Sequence, residues 1–302
     1  MSRVEKPMRY GVAILPEHNW PRARELWRRV EALGFDHAWT YDHLAWRWLG
    51  DRPWFGAVPT LAAAATVTSR IGLGTLVANI RLRDPVVFAK EIMTIDSLSN
   101  GRVLCGVGSG GPDRDVLRDE ELTPSQWADR YAEFVEVTDA VLRQEPITFD
   151  GDYYRCHDTV LWPGCVQTPR VPLCVAAAGP RGVRLAARFA DNWVTMGAPG
   201  RFDEAPWAAS LPLVKSQVAA LERACDEAGR DPAAVRRMLV AAPSIGGVLD
   251  SADSFHEAAG AFGDAGITDF IVHWPRPDFP YRGSPAVLEA VAETLPAAGE
   301  RT

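Results

Sequence analysis

The stretch that decides the fold is Asp84–Gly110, "DPVVFAKEIMTIDSLSNGRVLCGVGSG". Asp-Pro is a good helix opening, because proline's fixed φ suits the first helical position and its missing N–H is not needed there. The pattern predicts a helix over 84–99 that stops before Asn100-Gly101. "RVLCGVG" (102–108) follows as an apolar run of strand length and ends among glycines. A helix feeding a short, continuously apolar strand is one unit of a parallel sheet.

The same unit repeats on both sides. Upstream, "MRYGVAIL" (8–15), "DHAWTY" (36–41) and "RIGLGTLVA" (70–78) read as strands. Between them lie a helix carrying Ala23, Leu26, Trp27, Val30 and Leu33 at helical spacing and a small-residue helix over 58–69. Downstream, Trp127, Tyr131, Phe134, Val135, Thr138, Val141 and Leu142 mark the core face of a fourth helix. The alternation then breaks at 146–172, where Asp150-Gly151 between β-rich triplets predicts a two-residue hairpin turn. It resumes with strands at 172–178, 192–197, 237–248 and 267–274 and helices at 180–190, 203–229, 251–265 and 284–295. Eight strand–helix units predict a (β/α)₈ TIM barrel in one domain spanning 1–302, with an excursion between helix 4 and strand 5. A doubly wound sheet is the alternative, but its strand count usually stops nearer six.

Composition narrows the function. The 302 residues are 47% hydrophobic and carry a net charge of -7, with lysines and arginines scattered. This argues against a nucleic-acid surface, and no apolar run is long enough for a membrane span. The N-terminus lacks the apolar stretch of a signal peptide, and five cysteines without CxxC spacing fit reduced thiols, so a cytoplasmic protein is expected. No metal site is expected: a metal-hydrolase barrel would want a His-x-His pair on strand 1, and "GVAILPEHNW" has only His18, beyond the strand.

Barrel chemistry gathers where strands end. The second strand ends in Tyr41-Asp42-His43, the third in Asn79, the fourth in "GVGSGG" (106–111), the sixth in Thr195-Met196-Gly197 and the eighth in His273-Trp274. Asp42-His43 is either a polar turn or an acid and an imidazole facing the mouth with Asn79 and His273. The turn Gly179-Pro180-Arg181-Gly182 opens a helix whose free amides suit a phosphate, with Arg181 as a second contact; its plain reading is a tight βα turn. Trp46, Trp48 and Trp54 crowd one loop, as walls of an apolar pocket or as packing. His37 reads as packed within its strand.

These residues together resemble the luciferase-like monooxygenase superfamily, and within it the coenzyme F420-dependent oxidoreductases. The motifs are "WTYDHL" (39–44), "RIGLGTLV" (70–77), Asp84–Gly110, "FDGDYY" (149–154) and "AAAGPRGVRLAARFADNW" (176–193), and the likeness covers roughly 8–275. The resemblance implies a barrel that binds F420, or alternatively FMN, in its mouth. It places Asp42 and His43 beside the reactive ring as catalytic and cofactor-binding residues. It puts a non-proline cis peptide at Leu76-Val77 behind the ring, and Asn79, Gly108 and Ser109 against the cofactor. Ala178, Gly179, Pro180, Arg181 and Gly182 would hold its phosphate. Trp46, Trp48, His273 and Trp274 are read as substrate-pocket residues. One departure stands out: the sugar-phosphate dehydrogenases of this branch carry a glutamate directly after the strand-4 glycines, where this chain has Gly111, Pro112 and Asp113. Asp113 or Asp115 would replace it only if the loop folds back, which argues against glucose 6-phosphate. The reaction implied is hydride transfer between reduced deazaflavin and a C=C, C=N or C=O group of a small-molecule or peptide substrate. An FMN-dependent monooxygenase is the alternative, a non-catalytic flavin-binding protein a third reading, and a homodimer the expected assembly.

Overall fold

A computed structural model describes residues 7–110, 122–198, 200–201 and 203–296. Its strands are β1 (Arg9–Ala13), β2 (His37–Thr40), β3 (Gly72–Thr75), β4 (Ala78–Asn79), β5 (Val103–Gly108), β6 (Ile147–Asp150), β7 (Arg155–Thr159), β8 (Leu173–Ala176), β9 (Asn192–Thr195), β10 (Arg236–Val240) and β11 (Asp269–His273). Its α-helices are α1 (Trp20–Ala32), α2 (Ala57–Ala65), α3 (Pro85–Ser99), α4 (Pro124–Leu142), α5 (Pro180–Phe189), α6 (Leu211–Glu227), α7 (Ala252–Asp264) and α8 (Pro285–Thr294). The main sheet runs β3-β2-β1-β11-β10-β9-β8-β5-β4, and a β3–β5 pairing closes it. All of these pairings are parallel. Because β3 and β4 are two pieces of one strand position, the result is the eight-stranded (β/α)₈ barrel read from the sequence.

The unit at 84–110 shows why the chain folds this way. The Asp84 carboxylate accepts from the amides of Val86 and Val87, Pro85 occupies the first turn, and Asn100 ends α3 at φ 55. Strand β5 then enters the barrel buried along almost its whole length. Side chains alternate along each strand. Val12 and Phe270 point outward into the strand–helix core, while Ala13, Trp39, Met238 and Ile271 fill the lumen. The lumen is tight: a Cβ on Gly74 would lie 2.2 Å from the Trp39 ring, so only glycine lets that indole lie across the barrel.

At the amino-terminal end of the lumen, buried Asp269 gathers Arg9, Arg236 and His37, at 2.7, 2.8 and 3.3 Å. His37 also accepts from the Trp39 indole N–H at 2.7 Å, so it is the packed residue expected. Burial disfavours its charged form and holds its pKa below the usual histidine range, despite the opposing pull of Asp269.

Three expectations need correction. The strand read over 70–78 is interrupted at Leu76-Val77, a cis peptide bond, and resumes as β4. The helix read from 203 begins at Leu211, after a short 3₁₀ turn over Trp207–Ser210. The excursion does contain an antiparallel hairpin, β6 with β7, but its connection is Gly151–Tyr154 rather than Asp150-Gly151. Glu133, on α4, decides this: its carboxylate accepts from the amides of Asp152, Tyr153 and Tyr154 and stabilises the longer turn.

Candidate active site

A cavity of about 720 Å³ opens at the carboxyl ends of the barrel strands, and its lining is mostly apolar. After β2 it is lined by Tyr41, Asp42, His43, Trp46 and Arg47; at the broken third strand by Leu76, Val77 and Asn79; after β5 by Gly108, Ser109 and Gly110. The start of α5 and the residues before it, Ala176–Gly182, form another part of the wall, with Trp127 and Tyr131 of α4 alongside. Val194, Thr195 and Met196 from β9 and its end, and Val240 from β10, add to the lining. Every residue read as cofactor-binding therefore lines one cavity. Trp46 joins them, buried at 4% exposure. Gly111, Asp113 and Asp115, the places considered for the missing acid, lie outside the described residues.

Three of the four substrate-pocket residues sit elsewhere among the described residues. Trp48 is 40% exposed and meets Phe279 edge-on. Trp274 packs against the outer core, and its amide donates to Ala13. His273 lies behind Tyr41: the Tyr41 hydroxyl is 2.7 Å from His273 Nε2 and 2.9 Å from the Tyr281 hydroxyl. The Ala241 carbonyl, 3.2 Å from His273 Nδ1, can only accept, so Nδ1 carries the proton and Nε2 accepts from Tyr41. Burial pushes the His273 pKa down to about 3, which keeps this ring neutral.

Both carboxylate oxygens of Asp42 accept hydrogen bonds from within the protein. Arg83 donates to both of its oxygens, Nε to Oδ2 at 2.8 Å and Nη2 to Oδ1 at 2.7 Å, and the Asn79 amide adds a bond of 3.0 Å. Burial alone would lower the Arg83 pKa, but the hydrogen bonds and charge of Asp42 outweigh it and raise the value. The carboxylate thus pins the end of β2 to the end of β4 and fixes where the next residue, His43, emerges. His43 is half-buried among the rings of Tyr41, Trp46 and Trp54, with centroids at 6.0, 6.2 and 6.0 Å.

At the other end of the cavity, α5 begins at Gly179 without a side-chain cap. The amides of Arg181 and Gly182, in its first turn, have no carbonyl of their own helix to donate to. A Cβ on Gly179 would meet nothing within 4 Å, so the approach to these amides is open. A helix start of this kind suits a phosphate. The Arg181 guanidinium is turned away: it donates to Asp129 and, at 2.8 Å, to the Ser125 hydroxyl of α4. A mostly apolar cavity of this size with one bare helix start fits a flavin-type ring with a phosphate-bearing side chain.

Sequence reading assigned no site role to Tyr41, Met196, Val240, Trp127, Tyr131 or Arg83, although it noted Tyr41 and Met196 at strand ends. The first three stand at strand ends, where barrel sites form. Trp127 and Tyr131 share the periodicity of the α4 core face, so nothing in their spacing separates wall from core. Tyr131 donates to Val107 and Ala176 and ties the ends of β5 and β8.

A model of the luciferase-like monooxygenase family matches residues 7–270, and the chain belongs to that family. The chain is 34% identical over 179 residues to an F420-dependent glucose-6-phosphate dehydrogenase of Intrasporangium calvum, covering 57% of this chain and 53% of that protein. It spans about half the length of the curated relatives it matches. Among solved structures, an F420-dependent secondary alcohol dehydrogenase in complex with an F420-acetone adduct superposes with a TM-score of 0.79 at 20% identity, covering 97% of this chain and 99% of that one. A monooxygenase of Streptomyces bottropensis superposes with a TM-score of 0.72 at 20% identity, covering 95% and 98%. At these identities the superpositions speak to the fold.

Proposed function

We propose that this protein is an F420-dependent oxidoreductase of the cytoplasm, acting on a small-molecule or peptide substrate. The observation that carries the reading is the convergence in one cavity of His43, the Leu76–Val77 break, the β5 glycines and the bare start of α5. The F420-dependent relatives support the choice of deazaflavin. Bound F420 supplies a carbon centre that exchanges hydride with a C=C, C=N or C=O group or with the corresponding reduced carbon.

The chain's own residues do the rest. The amides of Arg181 and Gly182 would hold its phosphate, and Asn79, Gly108, Ser109, Leu76 and Val77, which line the same cavity, would hold the rest of the cofactor. His43 takes or gives the proton that balances hydride transfer at a substrate heteroatom, a role suited to an imidazole at neutral pH. Asp42 acts through the backbone it pins rather than through the reacting atoms. Trp46 supplies a buried aromatic part of the wall.

An FMN-dependent monooxygenase is the second reading, kept open by membership of the luciferase-like monooxygenase family. Fluorescence titration of the purified protein with F420 and with FMN separates the two. Tighter binding of F420 supports the proposal, and tighter or equal binding of FMN overturns it. The homodimer implied by the family resemblance belongs to the same reading and is checked by light scattering.

A further inference from the structure

We infer that Tyr281 is a positioning residue of this active site: from outside the cavity it braces two of the three rings around His43, and so sets where that imidazole stands. The inference rests on the role of His43 given above and goes beyond it by naming the side chain that holds it in place.

Tyr281 lies in the loop after β11 and is not among the residues that line the cavity. Its ring is nearly parallel to that of Trp46, at 6° with centroids 6.3 Å apart, and to that of His273, at 6° and 3.4 Å. Its hydroxyl is 2.9 Å from that of Tyr41. Trp46 in turn stacks on His43 at 6.2 Å, and Tyr41 meets the same imidazole at 6.0 Å. Trp54, the third ring around His43, packs on Trp46 at 5.6 Å.

The hydrogen bonds here have a fixed direction. His273 accepts from Tyr41, whose one proton is then used, so Tyr281 is the donor to Tyr41. Burial raises the pKa of both tyrosines and keeps His273 neutral, so each member of this chain holds its proton at neutral pH. The chain therefore braces the site rather than relaying protons, and proton exchange is left to His43.

The backbone shows how firmly Tyr281 is placed. It is the only aromatic among the described non-glycine residues at positive φ, here 67°. A bulky side chain keeps that conformation only where its surroundings impose it. Buried Arg276 does so. Its guanidinium grips both carboxylate oxygens of Glu17, at 2.6 and 3.0 Å, and donates to the carbonyls of Asp278, Phe279 and Pro280. Its amide donates to the Tyr281 carbonyl at 2.9 Å.

The test is the rate at which diethyl pyrocarbonate modifies His43, read by mass spectrometry of the peptide that carries it. It is run on the purified protein, Tyr281→Ala and Tyr281→Phe. Two histidines serve as controls: exposed His157, and His37, 1% exposed inside the barrel, which reports general opening. Tyr281→Ala should speed modification of His43 about three- to tenfold, the worth of one aromatic pair expressed as a population, with both controls unchanged. Tyr281→Phe keeps the ring, and Tyr41 keeps its bond to His273, so the rate should return to within about twofold of the wild type. A wild-type rate at His43 in Tyr281→Ala, a rise shared by His37, or a phenylalanine variant as fast as the alanine one each overturns the inference. F420 added to the wild type should slow modification of His43. No such protection overturns the placement of the cofactor beside His43 and leaves the role of Tyr281 standing.

Discussion

Arg83→Met tests whether the Asp42 clamp holds the site together. The substitution keeps the aliphatic stem and removes the guanidinium. It leaves Asp42, 4% exposed, with the Asn79 amide as its remaining partner among those described above. Breaking a buried pair by removing one partner costs about 3–5 kcal/mol. The lower end applies here, because the Arg83 side chain is 15% exposed and the amide bond survives. A loss of about 3 kcal/mol corresponds to roughly 5 °C in Tm for a chain of 302 residues. Asp42→Asn in the same chain removes the charge that needed Arg83, so the double variant should recover about 1–2 kcal/mol relative to Arg83→Met. Thermal unfolding followed by circular dichroism reads all three proteins. A drop under about 2 °C for Arg83→Met, or a double variant no better than the single, would refute the reasoning.

Other consequences are as concrete. His43→Ala should lower turnover by about 10²-fold or more, the usual scale for acid–base help, with a smaller change in F420 affinity; wild-type turnover sinks the role. Gly179→Asp should abolish cofactor binding with an unchanged Tm, since φ −86° and open space admit a side chain while its carboxylate opposes the phosphate. Retained binding marks the turn as structural only. Stability should fall as pH drops below about 6.5. His37 and His273 are held neutral in the fold, with pKa values depressed by burial, so the unfolded chain takes up protons that the native chain refuses. His273, with its pKa pushed down to about 3, gives a slope approaching about 1.4 kcal/mol per pH unit between its unfolded pKa and roughly pH 4, and His37 adds to it in the same direction. Equal Tm values at pH 7.5 and 5.5 contradict this.

The barrel was legible because each unit carries its own punctuation. Asp84-Pro85 starts α3 and Asn100-Gly101 ends it, all within one short window. The site's outline followed from reading strand ends, and residues so distant in sequence as His43, Gly108 and Gly179 meet in one cavity. What stayed hidden depended on partners remote in sequence. Asp42 could not announce Arg83, 41 residues on, as the partner that takes both its oxygens. Glu133 set the hairpin's turn length from another helix. His273 stands at a strand end as expected, yet Tyr41 comes between it and the cavity, and no periodicity encodes which of two neighbouring rings is in front.

The central claim is the identity of the cofactor, and its most direct test is a side-by-side titration of the purified protein with F420 and FMN, followed through quenching of the tryptophans that line or border the cavity, Trp46 and Trp127 among them. The account predicts saturable quenching at lower concentration with F420 than with FMN, lost for F420 in Gly179→Asp. FMN binding as tightly or more tightly would contradict it.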